Sequence, residues 1–300
     1  MCSIFSKRCF ISIKTWGYFF ALSAPVAIAS NLASPQSGFF LGVGGSASSV
    51  SFFNQQVYGK GTSYSPPYGA NTAQTGSALG STSPSLDAKF GLAPLVQAGY
   101  YDHLSNTNWI WGSKFAYSYV NLGSAQSALT IPQAGGFYQD RAYTPFTGNY
   151  LVQSFRQNVN HQLSLIPFAG RSFKNRQFYL GLGPMTAQTK TTIQDITGFE
   201  NVEIVPTTPT GIGLGKTYTT SQWLFGGVAM VGSTFFVDQT SFIDVSYSYS
   251  ITGSVTRNWG GAWADTDTSR SNVTRTGTNT GTTSGSVNTQ FLAITFNKVF

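Results

Sequence analysis

After residue 36 the chain switches repeatedly between two textures. One alternates large apolar or aromatic residues with small or polar ones at period two. The other is rich in Gly, Ser, Thr, Pro and Asn. Period two sustained over ten or so residues predicts a sheet with one apolar and one polar face. Eight such segments can be read, at about residues 38–53, 87–101, 108–120, 152–170, 177–190, 217–237, 241–257 and 287–300. The seventh is the cleanest: Ile243, Val245, Tyr247, Tyr249 and Ile251 alternate with Asp244, Ser246, Ser248, Ser250 and Thr252. In the fourth, Val159, Leu163 and Leu165 are expected on the apolar face, opposite Arg156, Asn158, Asn160, Gln162 and Ser164. The sixth is apolar on both faces between Leu224 and Val231, so its pattern does not fix a register.

Each segment is long enough to cross a bilayer as a tilted strand, which takes about 9–11 residues. The links alternate in length. They are short near 102–106, 172–176 and 238–240, and long over 54–86, 121–151, 191–216 and 258–286. Short periplasmic turns opposite long outer loops are the connection pattern of an outer-membrane barrel. The long links are poor in apolar residues and are expected to be mobile loops. Aromatics crowd the segment ends beside the short links, among them Tyr100, Tyr101, Trp109, Trp111, Phe178, Phe235 and Phe236. Interfacial girdles place aromatics in this way. The predicted fold is all-β: a closed, antiparallel, up-and-down transmembrane β-barrel of eight strands over residues 30–300.

Composition agrees with that picture. Only 9% of the 300 residues are charged, against roughly 25% in average soluble domains. The chain holds 24 Phe and 15 Tyr, yet its mean hydropathy is −0.04. Apolar residues are therefore interleaved with polar ones rather than gathered into the runs of about 20 that a membrane helix needs. At the N-terminus, Lys7, Arg8 and Lys14 accompany a short apolar core, Trp16 to Val26. Ala27-Ile28-Ala29 then offers a small-residue cleavage site before Ser30, so residues 1–29 read as a secretory signal. Both cysteines, Cys2 and Cys9, fall inside it, which leaves no disulfide and no thiolate metal site after cleavage. Loss of its three basic residues would also trim the net charge of +7, an excess too mild to argue for nucleic acid.

The charges assigned to inward faces are Asp87, Lys89, Lys114, Arg156 and Asp244. Arg or Lys at mid-membrane costs about 2–4 kcal/mol on the lipid face. These five are therefore expected to point inward as a salt-bridged plug, since eight strands leave a lumen just wide enough for side chains. The two histidines, His103 and His161, lie far along the chain from one another, and His161 is expected on the outward face; both read as structural. Asp265 and Asp267 lack the glycine and distal glutamate of a known calcium loop. Gly42-Val43-Gly44-Gly45 lacks the Lys-Ser/Thr of a phosphate loop.

The last segment alternates Leu292, Ile294 and Phe296 and ends in Phe300. This resembles the C-terminal assembly signal of bacterial outer-membrane proteins, with Lys298 standing where an apolar or aromatic residue is usual. Layout and ends together are similar to the eight-stranded outer-membrane barrels, the group of the OmpA transmembrane domain and the opacity-type surface antigens. The resemblance implies an outer-membrane location reached by cleaved-signal export, with lipid and lipopolysaccharide around the barrel. It implies the barrel-assembly machinery as a partner of the last strand, and no cofactor. It points to a non-enzymatic structural protein, adhesin or surface antigen that meets a host or glycan receptor through its loops. The alternative is a small-solute porin or transporter with a wider barrel, and a lipid-modifying enzyme comes third.

Overall fold

The computed structural model describes residues 36–300 apart from 203–204, 210–215 and 268–272. Ala27, Ala29 and Ser30, the expected cleavage site, lie outside the described residues. The chain forms one sheet of eleven strands: β1 Gly38–Ser65, β2 Gln74–Thr82, β3 Lys89–His103, β4 Trp109–Gln139, β5 Ala142–Phe173, β6 Arg176–Val202, β7 Val205–Pro209, β8 Tyr218–Phe236, β9 Ser241–Thr252, β10 Val255–Asp267 and β11 Val273–Val299. Eight of them close a ring in the order β1–β3–β4–β5–β6–β8–β9–β11 and back to β1, with every neighbour antiparallel. Phe40 pairs Val299 at the closing edge, and the Phe300 N–H donates to the Phe39 carbonyl at 2.8 Å.

The short links are where the pattern put them, at 104–108, 174–175 and 237–240. The long links are not loops. Most of 54–86, 121–151 and 258–286 continues the strands upward, so β4 runs 31 residues and β5 runs 32. At roughly 3.3 Å per residue and a tilt of about 40°, such strands rise roughly 80 Å, about three times a 25 Å apolar band. The upper segments look like loops in sequence because Gly, Ser, Thr, Pro and Asn interrupt their apolar positions. On β11 the exposed face of the extension is built of threonine: Thr274, Thr276, Thr278 and Thr280 are all exposed. Thr is β-branched and favours strands, and cross-strand Thr pairs add hydrogen bonds, as between the Thr62 and Thr278 hydroxyls at 2.8 Å. The β4–β5 tip is a two-residue turn at Asp140 and Arg141, both at positive φ, as the primed hairpin turns require.

In this upper tier β2 takes the place of β3 between β1 and β4, and β10 takes the place of β9 beside β11. β9 and β8 part company at Gly226 and Thr252. Above them, among the described residues, no ladder joins β10 to β8. Side chains bridge the seam instead: Arg257 Nε donates to Gln222 Oε1 at 3.2 Å, Tyr218 packs on Trp259 with ring centroids 5.5 Å apart, and Lys216 donates to the Ala262 carbonyl.

The exterior changes character at one level. Around the lower tier the outward side chains are apolar and exposed, among them Leu41, Leu92, Leu180, Leu182, Phe225, Ile251, Leu292 and Ile294, with Leu92 at 86%. Exposed aromatics edge this belt, with Trp109, Trp111, Phe173, Phe178 and Phe235 towards the short turns and Tyr119, Trp223 and Tyr249 above. Arg171 and Arg176 lie over Phe173 and Phe235 at the lower rim, each 5.4 Å from the ring centroid. An exposed apolar surface of this extent is stable only against hydrocarbon.

Two outcomes follow from these features. Leu180→Arg is expected to destabilise the barrel by about 2–4 kcal/mol in lipid vesicles, and Thr278→Arg by much less, as read by guanidinium unfolding. In the last short turn, Asp238 accepts from the Thr240 and Ser241 N–H groups, each at 2.7 Å, and from the Thr240 hydroxyl at 3.0 Å. The backbone bond from Thr240 leads in holding its pKa at about 2, below the ordinary 3.8. A carboxylate whose folded value is depressed contributes stability above its unfolded value and loses it as pH falls through the folded one. Unfolding curves of the wild type and Asp238→Asn should therefore differ above pH 4 and converge as the pH falls towards about 2.

Candidate functional site: a filled lumen below an open chamber

Inward positions fill the barrel in layers. The lowest is aromatic: Phe40, Tyr101, Phe236 and Phe242 pack with Val299 and Phe168, and Phe242 lies edge-on to Phe40 at 5.4 Å. Above it sits an ion pair. Lys114 Nζ lies 3.0 Å from Asp244 Oδ2, and both side chains are almost wholly buried. The Tyr179 hydroxyl donates to Asp244 at 2.7 Å and accepts from Lys114 at 2.9 Å, and Thr234 donates to Asp244 at 3.3 Å. Beside them Gln97 donates to Thr295 and Asn297 at 2.9 and 2.7 Å. A large apolar layer follows, including Val50, Phe52, Val120, Val159, Met230 and Phe291. Then comes Arg257, whose guanidinium donates to Thr191 at 2.8 Å and to Thr189. A further apolar layer, with Ile131, Val152, Phe155, Ile193 and Trp259, caps the stack.

Of the five charges expected in a lumen network, the structure brings together Lys114 and Asp244 alone. Arg156 is exposed on the outside. The register between β5 and β6 shifts between Val159 and His161, and an extra residue in one strand sends every side chain beyond it to the other face. Gln162, Ser164 and Leu165 therefore lie as the alternation expects, whereas Val159 is fully buried and Arg156 exposed. Arg156 lies above the apolar belt, where an outward charge costs little. Asp87 precedes the first residue of β3 and is exposed; Lys89 opens β3 opposite Val50 and is exposed too. The alternation read from Asp87 begins before the ladder does.

Arg257, Trp259 and Trp263 are inward residues that the sequence pattern missed. Below the β9–β10 break the inward positions are even, as at Asp244, Ser246, Ser250 and Thr252; above Gly253 and Ser254 they are odd. Trp259 pairs with Gly281 across β10 and β11, and Trp263 with Gly277. A Cβ at either glycine would fall within 2.5 Å of the indole ring, so each tryptophan lies over a glycine that only hydrogen can furnish. That spacing, Trp-x-x-x-Trp against Gly-x-x-x-Gly, is the signal available in the sequence.

His161 faces outward, as expected, with Nδ1 2.9 Å from the Tyr117 hydroxyl and its ring among Tyr117, Tyr119 and Trp223. At the other end, His103 Nδ1 lies 2.9 Å from Ser37 Oγ, and Asp102 accepts from the His103 backbone N–H at 2.7 Å. This Ser–His–Asp proximity was not read from the sequence. The carboxylate accepts from backbone, not from the imidazole, so it does not orient the ring as the acid of a catalytic triad does. Among the described residues no three His, Cys, Asp or Glu side chains cluster as a metal site would need. Leu292, Ile294, Phe296 and Phe300 are all exposed on the barrel exterior.

Eight closed strands, an apolar belt and a filled lumen make this a small β-barrel of the outer-membrane type. Even-stranded single-chain barrels of this build are bacterial outer-membrane proteins. No protein-family profile matches the sequence, and no curated protein does. Among solved structures the chain aligns with Neisserial surface protein A, at 11% identity over 84% of this chain and 96% of that one, with a TM-score of 0.32. It aligns with Ail, the attachment invasion locus protein of Yersinia pestis, at 12% identity over 81% and 98%, TM-score 0.24. It also aligns with the outer-membrane protease OmpT of Escherichia coli, at 10% identity over 90% and 99%, TM-score 0.31. Likeness at this level says nothing of activity, and the barrel stands on the chain's own topology and exterior.

The buried pair generates a clear expectation. Lys114→Met or Asp244→Leu alone strands a buried charge and should cost about 3–5 kcal/mol, while the double variant should recover most of that loss. Guanidinium unfolding in lipid vesicles reads all three.

Proposed function

We propose that the protein is a non-enzymatic surface protein of the outer membrane, a solid stalk that carries a binding end above the lipopolysaccharide. The observation that carries this reading is the lumen. From Phe40 and Phe242 up to Trp259 it is occupied by alternating apolar and hydrogen-bonded layers, and the buried Lys114–Asp244 pair is neutralised within the barrel. A porin needs the opposite, a polar wall around a continuous aqueous path.

In this reading the apolar belt is the surface for lipid, and the exposed basic side chains of Arg156 and Lys190 above it face the headgroup layer. The outward row Leu292, Ile294 and Phe296, with Phe300, is what the assembly machinery would engage on the last strand. The receptor, on a host cell or a glycan, would be met at the upper end.

Planar-bilayer recording tests the proposal. The refolded full-length barrel is expected to give no steady conductance above that of the bare bilayer. Steady unitary currents from the wild type would overturn it.

A further inference from the structure

The upper end of the lumen contains a chamber that the filling below does not use. It has a cavity volume of about 100 Å³ and opens to solvent, between β1, β2, β4, β5, β10 and β11. Tyr150, 4% exposed, and Gly61 belong to the lining. A Cβ at residue 61 would collide with the Tyr150 hydroxyl, so the glycine makes room for that tyrosine at the chamber wall.

Two features of the lining point to a ligand. The first is Gln133, which is 5% exposed, lines the chamber and has no protein partner for either its amide nitrogen or its amide oxygen. Trp263, 4% exposed, likewise leaves its indole N–H unpartnered at the same wall. Elsewhere in the barrel Lys114, Gln97 and Gln162 are hydrogen-bonded, as buried polar groups ordinarily are; Gln157, Gln177 and Trp259 each leave one buried polar atom unpartnered, whereas Gln133 leaves both ends of its amide so. The second is the aromatic character of the wall, to which Tyr64, Phe137 and Phe146 contribute rings. The one charged side chain among the described lining residues, Arg275, is paired through Nη2 with Asp265 at 3.0 Å, while its Nε has no partner.

A free amide offers one donor and one acceptor side by side. That pair matches two adjacent hydroxyls of a pyranose, and the aromatic rings match the C–H face of the same ring. We propose that the chamber binds a neutral saccharide, a pyranose at the end of a glycan, with Gln133 bridging a vicinal diol and the Trp263 N–H donating to a ring substituent. Charge balance disfavours an anionic sugar, because Asp265 already neutralises the Arg275 charge. The inference rests on the reading of the barrel as a surface protein with a binding end, and it supplies the ligand class for that end.

The refolded full-length barrel in detergent micelles is titrated with glucose, galactose, N-acetylglucosamine, lactose and chitobiose. Binding is read by saturation-transfer NMR and by tryptophan fluorescence. At least one of these sugars should bind saturably. Gln133→Leu should weaken it about tenfold or more. Ala78→Phe, which fills the chamber from β2 without touching the polar groups, should abolish binding, and Trp109→Phe at the far rim should leave it unchanged. Heat-dependent gel mobility verifies that each variant is folded. Silence from every sugar, or binding that survives both chamber variants, overturns the proposal. So does binding of glucuronic acid or N-acetylneuraminic acid alone with a steep loss on adding salt. A barrel that conducts ions fails the proposed function whatever it binds; a non-conducting barrel that binds no sugar fails only this inference.

Discussion

Backbone N–H and C=O groups in hydrocarbon have no water to bond, so each must find a partner in the chain. For a sheet this means closure. Here the first and last long strands meet, from Phe40 with Val299 upward to Tyr64 with Thr276, and the ring has no edge within the apolar belt. The demand lapses once the strands leave the lipid. There the ladder between β8 and its neighbour stops at Gly226 and Thr252, and the wall continues as a seam held by Arg257, Gln222, Tyr218 and Trp259. The place where hydrogen-bond closure is relaxed is the place where water can satisfy an open edge.

Closing eight strands also fixes the width of the interior, and the inward positions have to fill it. They do so by pairing large residues with absent ones. Trp259 lies over Gly281 and Trp263 over Gly277, and Tyr179 occupies the space beside Gly232. Lys114 and Asp244 survive in this setting because Tyr179 and Thr234 complete their hydrogen bonds. Burying two charges is repaid only when the remaining lone pairs and protons are also satisfied. The pair therefore contributes less to net stability than to fixing which side chains face one another across the lumen.

The lower tier was legible in the sequence because lipid enforces alternation there. Phe39, Leu41 and Val43, or Phe178, Leu180 and Leu182, face outward as their spacing says. Legibility failed for two physical reasons. Register belongs to pairs of strands, so the shift beside Asn160 and the break at Gly253 and Ser254 invert parity without any mark in a single strand's pattern. Arg156 and Val159 were exchanged by the first, and Arg257 was hidden by the second. The other failure was composition: outside the lipid a strand needs no apolar face, so Thr-rich runs such as Thr274 to Thr280 look like loop. Of the candidate site, the ion pair was visible as two inward charges. The chamber was not, because Gln133 and Trp263 lie in segments whose strand character the composition conceals.

The outward and inward faces obey different rules along the same strands. The outward face switches from Leu and Phe to Thr and Ser where the lipid ends, whereas the inward face keeps alternating apolar and polar layers from Phe242 to Ile131 regardless of the membrane. A packed interior that continues beyond the bilayer makes the upper tier a rigid extension of the barrel rather than a set of tethered loops. Gln133, Tyr150 and Trp263 are then held on paired strands before any ligand arrives. Groups fixed in advance pay less ordering entropy on binding than groups carried on mobile loops. Under the proposed saccharide-binding role, rigidity in the stalk and the free Gln133 amide at its upper end would work together.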